Sequence, residues 1–208
     1  MDESFAAVVG SQSWRDDAHA WIAAQLDSLG HVVTGEVTQP RIRPWSTQLV
    51  VPTDAGRFWF KANCRALAFE PAVHVELGRL VPWEVEPPAA FDAARGWLLT
   101  ADRGLTLGER HEPTLADWQT VVGLAAELQR AVAAQGKELL DAGLPDCSPA
   151  TVPDRFDALV ATFSALPPDH PSHLRADERE ELEAGRPTVV EAVQASRQHR
   201  CRPPSSTA

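Results

Sequence analysis

One stretch, Gly56 to Gly104, sets the terms for the whole chain. It passes through three patterns in a fixed order. G-R-F-W-F-K at 56–61 has strand composition and ends on Lys61. The segment at about 69–80 has helical spacing, with Val73, Leu77 and Leu80 on its inner side. Glu70 lies close to that side at the start, and Pro71 fits a first turn, where a missing N–H costs nothing. Val81-Pro82 ends the helix. G-W-L-L-T-A-D-R-G at 96–104 then reads as a strand running out into a short extended segment. A lysine on a buried strand and a glutamate opening the next helix can pair across a small sheet. The fold class that accommodates this order is α+β.

The flanking segments extend the sheet and give it a partner. Residues 14–29 read as a packing helix, with Trp14, Ala18, Trp21, Ile22, Gln25, Leu26 and Leu29 near one face and Gly30 placed to end it. Val32–Ile42 and Trp45–Val51 are β-rich, with Pro44 at a turn or edge between them. Asp54-Ala55-Gly56 is a turn signal, and Arg57–Lys61 follows as a third antiparallel strand. Residues 83–91 and 96–101 read as two more, joined at D-A-A-R-G. The turn at Arg43–Thr47 has two readings: the Ser46 and Thr47 hydroxyls with nearby N–H groups could meet phosphates, or the turn is ordinary strand chemistry with Arg41 and Arg43 in solvent. His74 reads as a surface or capping histidine, and Glu76 as the solvent residue of its helix.

Helix signals dominate after residue 113. Leu115, Trp118, Val122, Ala125 and Leu128 form an apolar stripe, the helical pattern reaching about residue 140. A helix at 154–166 carries Phe156, Leu159, Val160 and Phe163. A charge run at 173–184 reads as a solvated helix face, and Val189, Val190 and Val193 as a last helix. The terminal C-R-P-P-S-S-T-A reads as disordered.

The formal net charge of -10 argues against non-specific binding to nucleic acid or an anionic membrane, yet leaves room for a local phosphate pocket. Cys64, Cys147 and Cys201 have neither disulfide-framework nor zinc spacing, so a reducing compartment is the default. No apolar run reaches membrane-spanning length, and the acidic N-terminus lacks a basic-then-apolar leader pattern, so the cytoplasm is expected. All seven tryptophans lie between Trp14 and Trp118, which puts most large core material in the front of the chain.

R-P-W-S-T, F-W-F-K at 58–61, F-E at 69–70, L-V-P at 80–82, G-W-L-L-T-A-D-R-G, and D-W followed by L-A-A-E-L-Q occur in an order and spacing that resemble the aminoglycoside phosphotransferase-like family, over about Arg41 to Leu144. The resemblance implies a protein-kinase-like N-lobe with a five-stranded antiparallel sheet, a hinge, and a partial helical C-lobe. It divides the chain into an N-terminal helical extension (1–30), the N-lobe (31–102), the partial C-lobe (103–185) and a weakly ordered segment (186–208). It implies ATP as the nucleotide, GTP in some relatives, with Lys61 on its α- and β-phosphates and Glu70 holding that lysine. Leu99 would guard the back of the adenine crevice, and the carbonyl of Thr100 and the N–H of Asp102 would meet the adenine edge. A complete enzyme of this kind uses Mg2+ and phosphorylates a hydroxyl of a small molecule.

The family's H-x-D-x-x-x-x-N catalytic loop is missing from this sequence. His170, His173 and Asp177 lack its spacing, and the one asparagine is Asn63. There is also no phosphate-binding glycine loop, no G-x-S-x-G, no H-E-x-x-H and no C-x-x-C. The expectation is therefore the nucleotide-binding portion of a small-molecule phosphotransferase, truncated before the catalytic loop and inactive as this chain, with no catalytic residue or metal ligand assigned. A non-catalytic kinase-like module that binds nucleotide or protein, and a purely structural α+β domain, stay open beside it.

Overall fold

Two serines start the chain's first two helices in the computed structural model, which describes residues 4–199. The Ser4 hydroxyl accepts from the Ala7 N–H and opens α1 (Phe5–Gly10), a short helix not anticipated from the pattern. Ser11 accepts from the Trp14 N–H and opens α2 (Gln12–Ser28). Gly30, at φ +78°, lets the chain turn back after α2, and the His31 N–H closes on the Leu26 carbonyl. Ala18, Trp21, Ile22 and Leu26 are buried along one face of α2.

That face lies on a five-stranded, wholly antiparallel sheet of order β1-β2-β3-β5-β4. Its strands are β1 (Thr38–Ile42), β2 (Ser46–Thr53), β3 (Gly56–Asn63), β4 (Ala90–Asp92) and β5 (Trp97–Ala101). Between β3 and β4 the chain forms α3 (Glu70–Leu80). The core is the layer between α2 and the sheet: Leu49 and Val51 from β2, Phe58, Phe60 and Ala62 from β3, Trp97 and Leu99 from β5.

Two strands are shorter than their composition predicts. The first begins at Thr38, not Val32; before it there is only an isolated bridge from Val33 to Thr53. Pro40 lies within β1, which is tolerable because β1 is an edge, and the β1–β2 register slips between Thr38 and Arg41. In the predicted 83–91 strand only Ala90 and Phe91 belong to β4, because Pro87 and Pro88 have no N–H to give a ladder and Glu84 and Val85 fold back onto the Val81 carbonyl. The β4–β5 turn falls where D-A-A-R-G placed it. Its Gly96 has φ +67°, and a Cβ there would meet Ala68 at 3.1 Å, so both conformation and space call for glycine.

After β5 come α4 (Leu107–Arg110), α5 (Leu115–Val132) and α6 (Gly136–Asp141). Thr106 with Glu109, and Thr114 with Asp117, form reciprocal capping boxes at the first two. The unit Met1–Leu144 ends here. A second unit, Pro145–Ala208, contains α7 (Val152–Ser164) and α8 (Ala176–His199). The charge run and the valine segment, expected as separate helices, are one helix that passes through Pro187. Arg186, just before that proline, donates to both carboxylate oxygens of Asp157 on α7, at 2.7 and 2.6 Å. Residues 186–199, expected from sequence to be weakly ordered, lie in α8, while the disorder expected of 201–208 falls outside the described residues. No helix among the described residues is long and apolar enough to cross a membrane.

Candidate functional site

Alternation along β3 sends Phe58, Phe60 and Ala62 into the core and Arg57, Trp59 and Lys61 to the opposite face of the sheet. Register then assigns their neighbours. Lys61 stands opposite Gln48 and Leu98, Trp59 opposite Val50 and Thr100. Arg41 on β1 stands opposite Gln48, so Arg41, Gln48 and Lys61 form one cross-strand row.

The structure brings Lys61 and Glu70 together. Lys61 Nζ donates to both carboxylate oxygens of Glu70, each at 2.6 Å. The two side chains are 26% and 36% exposed. At that exposure an ion pair contributes about 1 kcal/mol or less to stability, so its main consequence is to hold the ammonium in place.

The same face of the sheet forms a cleft of about 590 Å³, lined among others by Arg41, Gln48, Arg57, Trp59, Thr100 and Asp102; Lys61 and Glu70 are not part of its lining. That volume is within the range of small-molecule sites. Arg57 Nη2 reaches Asp102 Oδ2 at 2.6 Å, and the Gly104 N–H donates to Asp102 Oδ1 at 2.8 Å. The Gly104 N–H, then the Arg57 guanidinium, hold the Asp102 carboxyl below the usual carboxylate range against the opposing effect of burial.

Register places three residues assigned to the adenine crevice, Leu99 and Thr100 on β5 and Asp102 just after it, differently from the sequence-based expectation. Leu99 is fully buried in the α2-facing core opposite Phe60, so it cannot guard a crevice on the Lys61 face. The cleft-facing residue there is Thr100. The Asp102 N–H is likewise not free, since it donates to the Arg57 carbonyl at 2.9 Å. That bond and the one from the Asn63 N–H to the Gly96 carbonyl mark the close-paired sites of the β3–β5 ladder. Trp59–Thr100 has the same parity, which turns the Thr100 carbonyl toward β3 rather than toward a ligand. The backbone that faces the other way is that of Leu99 and Ala101. Leu99 accepts from the Ala89 N–H at 2.8 Å, while Ala101 lies beyond the last β4 pair.

No family model, curated protein or solved structure matches this chain.

The phosphate reading of the 43–47 turn is weakened, because Ser46 and Thr47 are both buried. Thr47 is buried, donates to the Arg41 carbonyl at 2.9 Å and accepts from Gln39 Nε2 at 2.9 Å. Glu76, expected in solvent, is mostly covered and paired with Arg79 at 2.6 Å. Trp59, Arg57 and Arg41 were not among the expected site residues; counting back by twos from Lys61 finds the first two, and only the strand register finds the third. Among the described residues no group of three His, Cys, Asp or Glu side chains is placed to hold a metal ion.

His74, one helical turn beyond Glu70, ties α3 to the following loop: its Nε2 donates to the Glu86 carbonyl at 2.8 Å. Burial pushes its pKa below the usual 6.5; Glu70 opposes and Lys61 reinforces that shift. The unfolded chain therefore binds more protons at this residue just below pH 6.5 than the folded chain does, and stability rises with pH there. The contribution is complete above the ordinary imidazole value and is lost as pH falls through the lowered folded value. Denaturant unfolding at about pH 5.5 and 7.5 is expected to show a smaller difference for His74→Gln than for the parent. Equal differences would assign the pH dependence to other groups.

Proposed function

We propose that this chain is a nucleotide-binding module resembling the N-lobe of small-molecule phosphotransferases with a protein-kinase-like fold, and that it binds ATP without transferring phosphate by itself. The observation that carries this reading is the Lys61–Glu70 pair, a strand lysine gripped by both oxygens of a helix carboxylate, opposite Gln48, which lines a cleft of nucleotide size on the same sheet face. A lysine so held can meet nucleotide phosphates, because phosphoryl-transfer sites act largely by positioning charge. Trp59 and Thr100 supply a wall for a heterocycle, and the Ala101 backbone, which lines the adjoining cavity that Thr100 shares, is the edge proposed to meet the base in place of Thr100 and Asp102.

The residues present fit ATP better than they fit Mg2+. The carboxylates nearest the cleft are engaged: Glu70 by Lys61, Asp102 by Arg57 and the Gly104 N–H, Glu109 by the Thr106 hydroxyl and N–H. No metal-dependent step is assigned to these residues. Transfer to a small hydroxylated acceptor needs a catalytic aspartate that the sequence does not contain in recognisable form, and it is assigned to a complete enzyme of this kind. A cytoplasmic nucleotide pool is the proposed setting, with which the free thiols of Cys64 and Cys147 agree.

Thermal unfolding with ATP, paired with an ADP-release assay, tests this. ATP at about a hundred times its dissociation constant is expected to stabilise the fold by about 2.7 kcal/mol, with no ADP formed. Absence of any shift would remove the nucleotide. Steady ADP release would show that the chain has catalytic groups of its own.

A further inference from the structure

Of the two arginines that line the cleft, Arg57 is neutralised by Asp102, whereas Arg41 Nη2 donates to the neutral amide oxygen of Gln48 at 2.7 Å. Arg41 thus brings a positive charge into the cleft with an orienting partner that does not cancel it. Its row neighbours are Gln48 and then Lys61, so the backbones that carry two cationic side chains stand two strands apart, about 10 Å, on one face. An extended di- or triphosphate is long enough to bridge that spacing. Glu70 and Asp102 are paired with cations, while Glu109, also in the lining, accepts only from the neutral Thr106 hydroxyl and N–H and keeps its charge.

We propose that Arg41 is a phosphate-binding residue of the cleft, and that nucleoside di- or triphosphate is held between Arg41 and Lys61 without a divalent cation; this rests on the nucleotide reading above for the base, and on the cross-strand row for the anion. A guanidinium donates a planar fork that matches phosphate oxygens, and such charge-assisted bonds are stronger than neutral ones. Gln48 aims the fork and Arg41 supplies the uncancelled positive charge, while Lys61, already paired with Glu70, supplies a donor rather than net charge.

The test uses the whole chain, EDTA, and two probes, inorganic pyrophosphate for the anion and adenosine for the base. Pyrophosphate is expected to bind, with an affinity that falls about tenfold or more in Arg41→Ala and less in Arg41→Lys, which keeps the charge and loses the fork. Gln48→Glu is expected to weaken it similarly by placing a carboxylate on the guanidinium. Arg41 is exposed on an edge strand, so melting temperatures are expected to stay near the parent's. The proposal is overturned if pyrophosphate does not bind, if it binds only with added Mg2+, or if the alanine and glutamate variants bind it unchanged. Arg41-dependent pyrophosphate binding with no adenosine binding would support the anion site while removing the nucleotide. Adenosine binding with Arg41-independent pyrophosphate binding would do the reverse.

Discussion

Phe60→Ala is expected to destabilise the Met1–Leu144 unit by about 3–5 kcal/mol, a large part of the stability of an ordinary domain. Phe60 is fully buried at the centre of an aromatic cluster. Its ring meets Trp97 edge-on at 5.3 Å and Trp21 at 5.6 Å between centroids, with Trp14 tilted against it at 6.2 Å. The substitution removes the transfer energy of a phenyl group and leaves a void that three indoles fixed on α2 and β5 can close only in part. Urea unfolding followed by tryptophan emission measures the loss, and Phe60→Leu is expected to cost less than half as much. A cost under about 1 kcal/mol for the alanine variant would mean that the α2–sheet layer is not the core.

Lys61→Ala is expected to weaken ATP binding by about 10- to 100-fold, the usual range for losing a hydrogen bond to a charged group, with a change of less than about 1 kcal/mol in unfolding free energy. Function and stability separate here because both members of the pair are partly solvated. Glu70 is 36% exposed, so losing its partner returns it to water rather than leaving a bare charge in the core. Glu70→Gln is expected to weaken ATP less, since Lys61 keeps its charge and loses only its strongest anchor. Calorimetric titration of the three proteins measures both effects against their melting curves. Equal affinities would take Lys61 out of the site.

The Lys61–Glu70 pair was legible in the sequence because it needs only a strand, a short link and a helix start, all local signals. The five strands were legible as apolar runs with turn residues between them. Which face each β5 residue takes was not, because a slip of one residue exchanges the two faces. Leu98 and Leu99 are chemically identical, so nothing in the pattern says that Leu99 lies under α2 while Leu98 lies opposite Lys61. The free backbone moved from Thr100 to Ala101 for the same reason. Arg41 was ambiguous because solvent and cleft lie on the same side of an edge strand. Residues 83–89 misled because Trp83 and Val85 have strand composition, while the missing N–H groups of Pro87 and Pro88 prevent pairing.

The most direct measurement is a map of backbone and indole N–H resonances as ATP is added to the isotope-labelled chain. The predicted result is a saturable set of shifts at the Trp59 indole and at Thr100 to Arg103, Lys61 and Arg41, with α7 and α8 silent. Shifts confined to α5, α7 or α8, or none at saturating ATP, would contradict a nucleotide site on this face of the sheet.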